Sequence, residues 1–236
     1  MTRLPPQSNS AFFPALLAVL SHELGSPLAA IRGAATTLID YRHQSPDEEV
    51  DGFLQAIDRQ AARLNTLHED LVRLAQIAAG LLHPRAEPFD LHPMLVHSLE
   101  DLPSDQPGRF VLEGAEVQVL ADAVCLRRAF TLLMHHLGDR AVTLTVIRFE
   151  ATQTHVTVHF PAAEPELADP LARLDQVIRS TDWTRNKQAV VWLKLALSQA
   201  LIEAQGGQWT WVGTGEQPNL ILTLPGLPSE PNSGGH

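Results

Sequence analysis

Ser21-His22-Glu23-Leu24-Gly25-Ser26-Pro27-Leu28-Ala29-Ala30-Ile31 sets a histidine and a carboxylate side by side within an apolar repeat. Around it Leu17, Leu20, Leu24, Leu28, Ile31, Ala35 and Leu38 recur at spacings of three and four, which is one face of a long helix. With Leu17, Leu24, Ile31 and Leu38 at one heptad position, His22 falls off the seam and its imidazole is expected to face solvent. An exposed imidazole, with a pKa of about 6.5, is largely neutral at pH 7 and can act as a nucleophile through one ring nitrogen. Glu23 can orient the other nitrogen or take its proton. Pro27 removes a backbone hydrogen bond and is expected to kink the helix.

Gln44-Ser45-Pro46-Asp47 interrupts the pattern, with Ser45 or Asp47 available as a cap and Pro46 suited to a first turn. A second stripe follows through Phe53, Ile57, Leu64, Leu67, Leu71, Leu74, Ala78 and Leu81, ending near Gly80. Both stripes hold a near-heptad period for about four heptads, as in left-handed helical bundles. Two helices alone leave part of each stripe wet. Pairing two copies into a four-helix bundle covers it, so a homodimer is expected, with Leu24 and Leu71 at central seam positions.

His83-Pro84-Arg85-Ala86-Glu87-Pro88 cannot continue a helix and reads as a linker. Beyond it Asp90 can cap a helix to about Leu102, and a strand-like pair at 110–112 and 117–120 precedes a helix over 123–136. Residues 142–149 and 155–160 alternate like neighbouring strands, 188–204 is helical with Gly206-Gly207 as its stop, and strands at 208–212 and 220–224 close the chain. Helices on one side of a mixed sheet make an α+β sandwich. The expected layout is a flexible lead-in at 1–10, a helical hairpin at 11–82, a linker at 83–88, a sandwich at 89–228 and a disordered tail at 229–236.

The opening motif resembles the H-box of the bacterial sensor histidine kinases, S-H-E-L-R-T-P-L-x-x-I, with Gly25 and Ser26 in place of Arg and Thr. Arg32-Gly33-Ala34-Ala35-Thr36-Thr37-Leu38 is similar to the segment that follows it in the potassium-sensor subgroup. The resemblance implies that the hairpin is a dimerisation and phosphotransfer domain. His22 would be its phosphoacceptor, Glu23 the base or orienting group, and Ser26 a candidate for positioning water in a phosphatase reaction.

The same resemblance implies an ATP-binding sandwich, but its signature residues are replaced. Where the family's N-box carries two asparagines, one of them a Mg²⁺ ligand, this chain has Leu132 and His136, and no asparagine occurs from Ala121 to Phe160. A leucine cannot ligate, and imidazole is a poor substitute for a hard oxygen ligand of Mg²⁺. The D-x-G-x-G positions hold Phe160, Ala162 and Glu164, so the adenine-reading carboxylate is missing. Leu201-Ile202-Glu203-Ala204-Gln205-Gly206-Gly207 resembles the family's L-V-E-A-H-G-G, and counting back from it puts Ala189, Val190, Trp192 and Lys194 at the phosphate-cradling glycines. Trp192 puts a bulky ring where bare backbone is needed, and Lys194 reads as a solvated surface lysine rather than a phosphate contact. The expectation is a degenerate ATPase-like fold with no cofactor and no metal.

The composition narrows the partners. Twenty-seven acidic against 17 basic residues give a formal net charge of -10, which disfavours nucleic acid and anionic lipid. Hydrophobic residues at 44% and charged residues at 19% fit a packed globular chain of 236 residues. No apolar run is long enough to span a bilayer, the N-terminus lacks a signal-peptide layout, and the single cysteine, Cys125, reads as a small buried hydrophobe, so a cytoplasmic protein is expected. The histidines outside the H-box show no zinc-like spacing. The first functional expectation is an ATP-independent histidine phosphotransferase working with a response regulator receiver domain. The alternatives are a divergent ATP-dependent kinase or phosphatase, and a non-enzymatic regulator that binds a receiver or another histidine kinase.

Overall fold

A computed structural model of the chain describes residues 9–41, 46–100, 102, 109–114, 116–140, 144–151, 155–161, 165–179, 187–213 and 219–227, with 9–22 and scattered later positions described by backbone alone. The lead-in at 1–8 and the tail at 229–236 lie outside the described residues.

The two apolar stripes form helices α1, Asn9–Tyr41, and α2, Asp47–Ala79, packed as a hairpin. Helix α1 continues through Pro27, whose side chain is buried. Pro46 occupies the N-cap of α2 without a side-chain cap, so Asp47 does not cap it. Asp47, Glu48 and Glu49 instead fill the first turn, where acidic groups favour the exposed N–H groups. Ser45, the other candidate cap, lies outside the described residues. Gly80 stops α2 in the left-handed conformation at φ 68°, which a residue without Cβ adopts freely.

The second unit starts inside the stretch read as linker: Glu87 and Pro88 belong to strand β1, Glu87–Asp90. Proline is tolerated there because β1 is paired on one side only, antiparallel to β3, Gln118–Ala121. Helix α3, Leu91–Glu100, is capped by Asp90, whose carboxylate accepts the His92 N–H at 2.9 Å. Strand β2, Arg109–Glu113, does not pair with β3 as the sequence suggested; it runs parallel to β4, Leu144–Ala151. Alternation marks a strand but does not choose its partner.

Helix α4, Ala123–Arg140, separates β3 from β4, and β5, His155–Pro161, pairs antiparallel with β4. Helix α5, Pro170–Arg179, was not anticipated from the sequence. Helix α6, Lys187–Ala204, and strands β6, Gln208–Val212, and β7, Asn219–Pro225, complete a five-stranded mixed sheet ordered β2-β4-β5-β7-β6. Val156, Val158 and Phe160 of β5 and Leu220, Leu222 and Leu224 of β7 are buried, meeting Leu126, Phe130 and Leu133 of α4 and Leu195 of α6 in one core. Gly206 ends α6 at φ 78°. A Cβ on Gly207 would lie 2.8 Å from the Ile202 side chain and 2.9 Å from its carbonyl oxygen, so this turn closes only without one.

Cys125 is buried at the start of α4, and burial, reinforced by the neighbouring Asp122 carboxylate, pushes its thiol up to about 11. Asp122 ties three segments together: it accepts the N–H groups of Val124 and Cys125 at 3.0 Å as the cap of α4 and that of Arg85 at 2.9 Å. Its own N–H donates to the Gln205 side chain beyond α6 at 2.7 Å. Partial burial alone would raise its pKa, but these backbone donors hold it below the ordinary value of 3.8. Asp122→Ala is therefore expected to cost about 1 to 2 kcal/mol in a denaturant titration at neutral pH. A carboxylate depressed in the fold contributes above its unfolded pKa and stops contributing as pH falls through the folded value. The gap between wild type and variant should accordingly close in acid.

Candidate functional site

Helix α1 carries His22 and Glu23 in consecutive positions; the His22 side chain lies outside the described residues. Glu23 is partly buried and accepts a hydrogen bond from Arg63 Nη2 of α2 at 3.1 Å. Ser26, a turn further on, is exposed. The H-box carboxylate is thus held by a charge from the opposite helix, a partner that the motif itself does not announce.

The second half of α2 faces the sandwich. Leu67, Leu71 and Leu74 meet Val190, Leu193 and Leu197 of α6 across a mostly apolar cleft that Glu23, Asp70 and Lys194 also line. Leu71 and Leu74 pack on the sandwich core, so Leu71, read as a seam residue between two copies, is covered at least in part within its own chain. Beside the cleft Asp70, only 7% exposed, takes both hydrogen bonds of a forked contact from Arg128 of α4, one from Nε at 2.7 Å and one from Nη2. Planar, bidentate pairing is the strong form of this interaction. The sequence held a clue to it: 67, 70, 71 and 74 share one helix face, and an acid on an otherwise leucine face needs a cation.

Lys194 is a correction to the sequence reading. It is partly buried in the cleft rather than solvated. Burial pushes its ammonium below the usual lysine value; Glu23 pulls it back up, Arg63 and Arg128 push it further down, and Asp70 again raises it.

Leu132, His136, Phe160 and Trp192 pack inward. Leu132 is buried, and the Phe160 ring, fully buried, lies 6.0 Å from that of Phe130. His136 and Trp192 are buried side by side with ring centroids 6.1 Å apart, and the Arg173 guanidinium sits 5.9 Å from the Trp192 centroid. Ala162 and Glu164 lie outside the described residues, as does the Ala189 side chain. Among the described residues no cluster of His, Cys, Asp and Glu could hold a metal ion. Nor is any described helix long and apolar enough to cross a membrane.

Residues 15–80 match the His Kinase A (phospho-acceptor) domain. The chain is also 28% identical over 230 residues to the probable sensor histidine kinase TcrY of Mycobacterium tuberculosis, covering 93% of this chain and 47% of TcrY. The hairpin is thus a phospho-acceptor domain by its match, and along its length the chain resembles the sensor histidine kinases. The α+β fold agrees: the histidine kinase AdeS of Acinetobacter baumannii matches with a TM-score of 0.59 at 20% identity, over 86% of this chain and 97% of AdeS. The histidine kinase ThkA, in complex with the response regulator protein TrrA, matches with a TM-score of 0.52 at 15% identity, over 92% of this chain and 62% of the other. The chain spans about half the length of TcrY.

Breaking the fork between α2 and α4 should loosen the two units. Arg128→Met leaves the Asp70 carboxylate desolvated without its cation, an expected cost of about 2 kcal/mol, since the pair is not wholly buried. Hydrogen exchange across α2 and α6 should speed up, and adding Asp70→Asn should recover part of the loss. Unchanged exchange in Arg128→Met would mean that the pair does not hold the interface.

Proposed function

We propose that the chain is an ATP-independent histidine phosphotransferase in which His22 exchanges a phosphoryl group with receiver-domain aspartates. The observation that carries this reading is the inward packing of Leu132, His136, Phe160 and Trp192. By resemblance these positions should ligate Mg²⁺, admit adenine or cradle phosphates, and here their side chains fill the core with apolar and ring contacts. An H-box that keeps its histidine and glutamate beside such a packed domain suits phosphate received from elsewhere. Phosphoryl transfer depends on positioning and charge stabilisation, so a receiver can bring the aspartate and Mg²⁺ that this chain does not supply. Glu23 manages the proton on the second ring nitrogen, and Ser26 positions water in a phosphatase step on a bound receiver, a role its exposure supports.

The working unit is a cytoplasmic homodimer. Leu28, Ile39 and Leu54 of the hairpin are 52%, 81% and 51% exposed in the single chain, an apolar surface that a second hairpin would cover. Sedimentation at micromolar concentration should give twice the chain mass, and Leu24→Asp should give the monomer.

The deciding experiment incubates the protein with a phosphorylated receiver and follows label onto the chain at neutral to alkaline pH, where phosphohistidine survives. His22→Gln should abolish labelling and Glu23→Gln should slow it. A chain that binds the receiver but never acquires label would be a non-enzymatic regulator of a receiver or of another histidine kinase. Calorimetry with ATP and Mg²⁺ covers the other alternative: saturable binding tighter than about 100 µM would mark a divergent kinase.

A further inference from the structure

The sandwich meets the hairpin beside the H-box, and among the described residues cations outnumber carboxylates at that junction. Glu23 and Asp70 each accept from an arginine, Arg63 and Arg128 respectively. Lys194 of α6 lines the same cleft, so three cations face two carboxylates among the described residues around it. The walls are largely leucine and valine, and a cation against low-dielectric walls attracts an arriving anion more strongly than one in open water. The chemistry of the neighbouring position identifies that anion. His22 immediately precedes Glu23 on α1, consecutive Cα atoms lying about 3.8 Å apart, and a protein-bound phosphoryl group carries about two negative charges at neutral pH.

We propose that Lys194 is the phosphoryl-binding residue of this site, its ammonium pairing with the phosphoryl oxygens of phosphorylated His22 and presented by the docked sandwich. The inference rests on the reading of His22 as phosphoacceptor. In the transfer, a ring-nitrogen lone pair of His22 forms the N–P bond as the O–P bond of the receiver's aspartyl phosphate breaks. The aspartate departs as a carboxylate, and the proton on the other ring nitrogen passes to Glu23 or solvent. Lys194 makes and breaks no bond; it supplies the charge that the phosphoryl oxygens meet on arrival. Because Lys194 belongs to the sandwich and His22 to the hairpin, phosphorylation and domain docking strengthen each other by linkage.

The test uses the full chain phosphorylated with phosphoramidate, a small donor that transfers its phosphoryl group to imidazole without a receiver. The ³¹P resonance of phospho-His22, identified by its absence from His22→Gln, is followed through a pH titration. An ammonium in contact favours the dianion, so the wild-type midpoint should lie low and Lys194→Met should raise it by roughly half a pH unit or more. Lys194→Arg keeps the charge and should stay near wild type, which a packing role alone would not require. A midpoint unmoved by Lys194→Met, one displaced equally by Lys194→Arg, or no His22 resonance at all would overturn the proposal. Since the donor is not a receiver, a Lys194-dependent midpoint in a chain that receivers never label would sink the phosphotransferase reading alone. Receiver labelling with no Lys194 effect would sink this inference alone.

Discussion

The contact between α2 and α6 decides what each half of the molecule can do. Leucines from both helices close on one another, while the Asp70–Arg128 fork, reaching from the neighbouring α4, fixes how α2 lies on the sandwich. Apolar packing is non-directional and would tolerate a sliding of one helix along the other. A bidentate guanidinium–carboxylate pair would not, because its two bonds fail together when either plane turns. The fork therefore acts as a register pin for a greasy contact, and the placement of Lys194 near Glu23 follows from it.

This arrangement divides the apolar stripe of α2. Its later residues Leu71 and Leu74 are committed to the sandwich, while Leu54, beside the stripe, and Leu28 and Ile39 of α1 are exposed. A stripe that looks uniform in sequence thus meets α1 along the hairpin and the sandwich at its later end. The replaced nucleotide positions make a related point, since Phe160 and Trp192 are integral to the core rather than plugs in an otherwise open pocket.

Much of the fold was legible because helix and strand periods differ. The hairpin, its stop at Gly80, the Asp90 cap, and the β4–β5 and β6–β7 pairs all follow from local pattern and punctuation. The partner of β2 was not legible, because parallel pairing across an intervening helix leaves no local mark, and the short amphipathic α5 was hidden beside an ambiguous stretch. At the site, His22 and Glu23 stood out through an eleven-residue motif. Arg63 and Arg128 did not, because even where the leucine face around Asp70 calls for a cation, nothing local names one that lies 40 or 58 residues from its carboxylate. Lys194 was misjudged for the same reason: its burial is a property of the interface.

The thiol of Cys125 lies under the first turn of α4, one turn from the Asp122 junction that joins the interdomain connection to both α4 and the end of α6. Its suppressed ionisation and its burial both slow reaction with electrophiles, since only an exposed thiolate attacks. With one cysteine per chain, alkylation has a single origin, and its rate becomes a clock for the opening of that junction. The molecule carries its own reporter of breathing, placed where the two domains share a foundation.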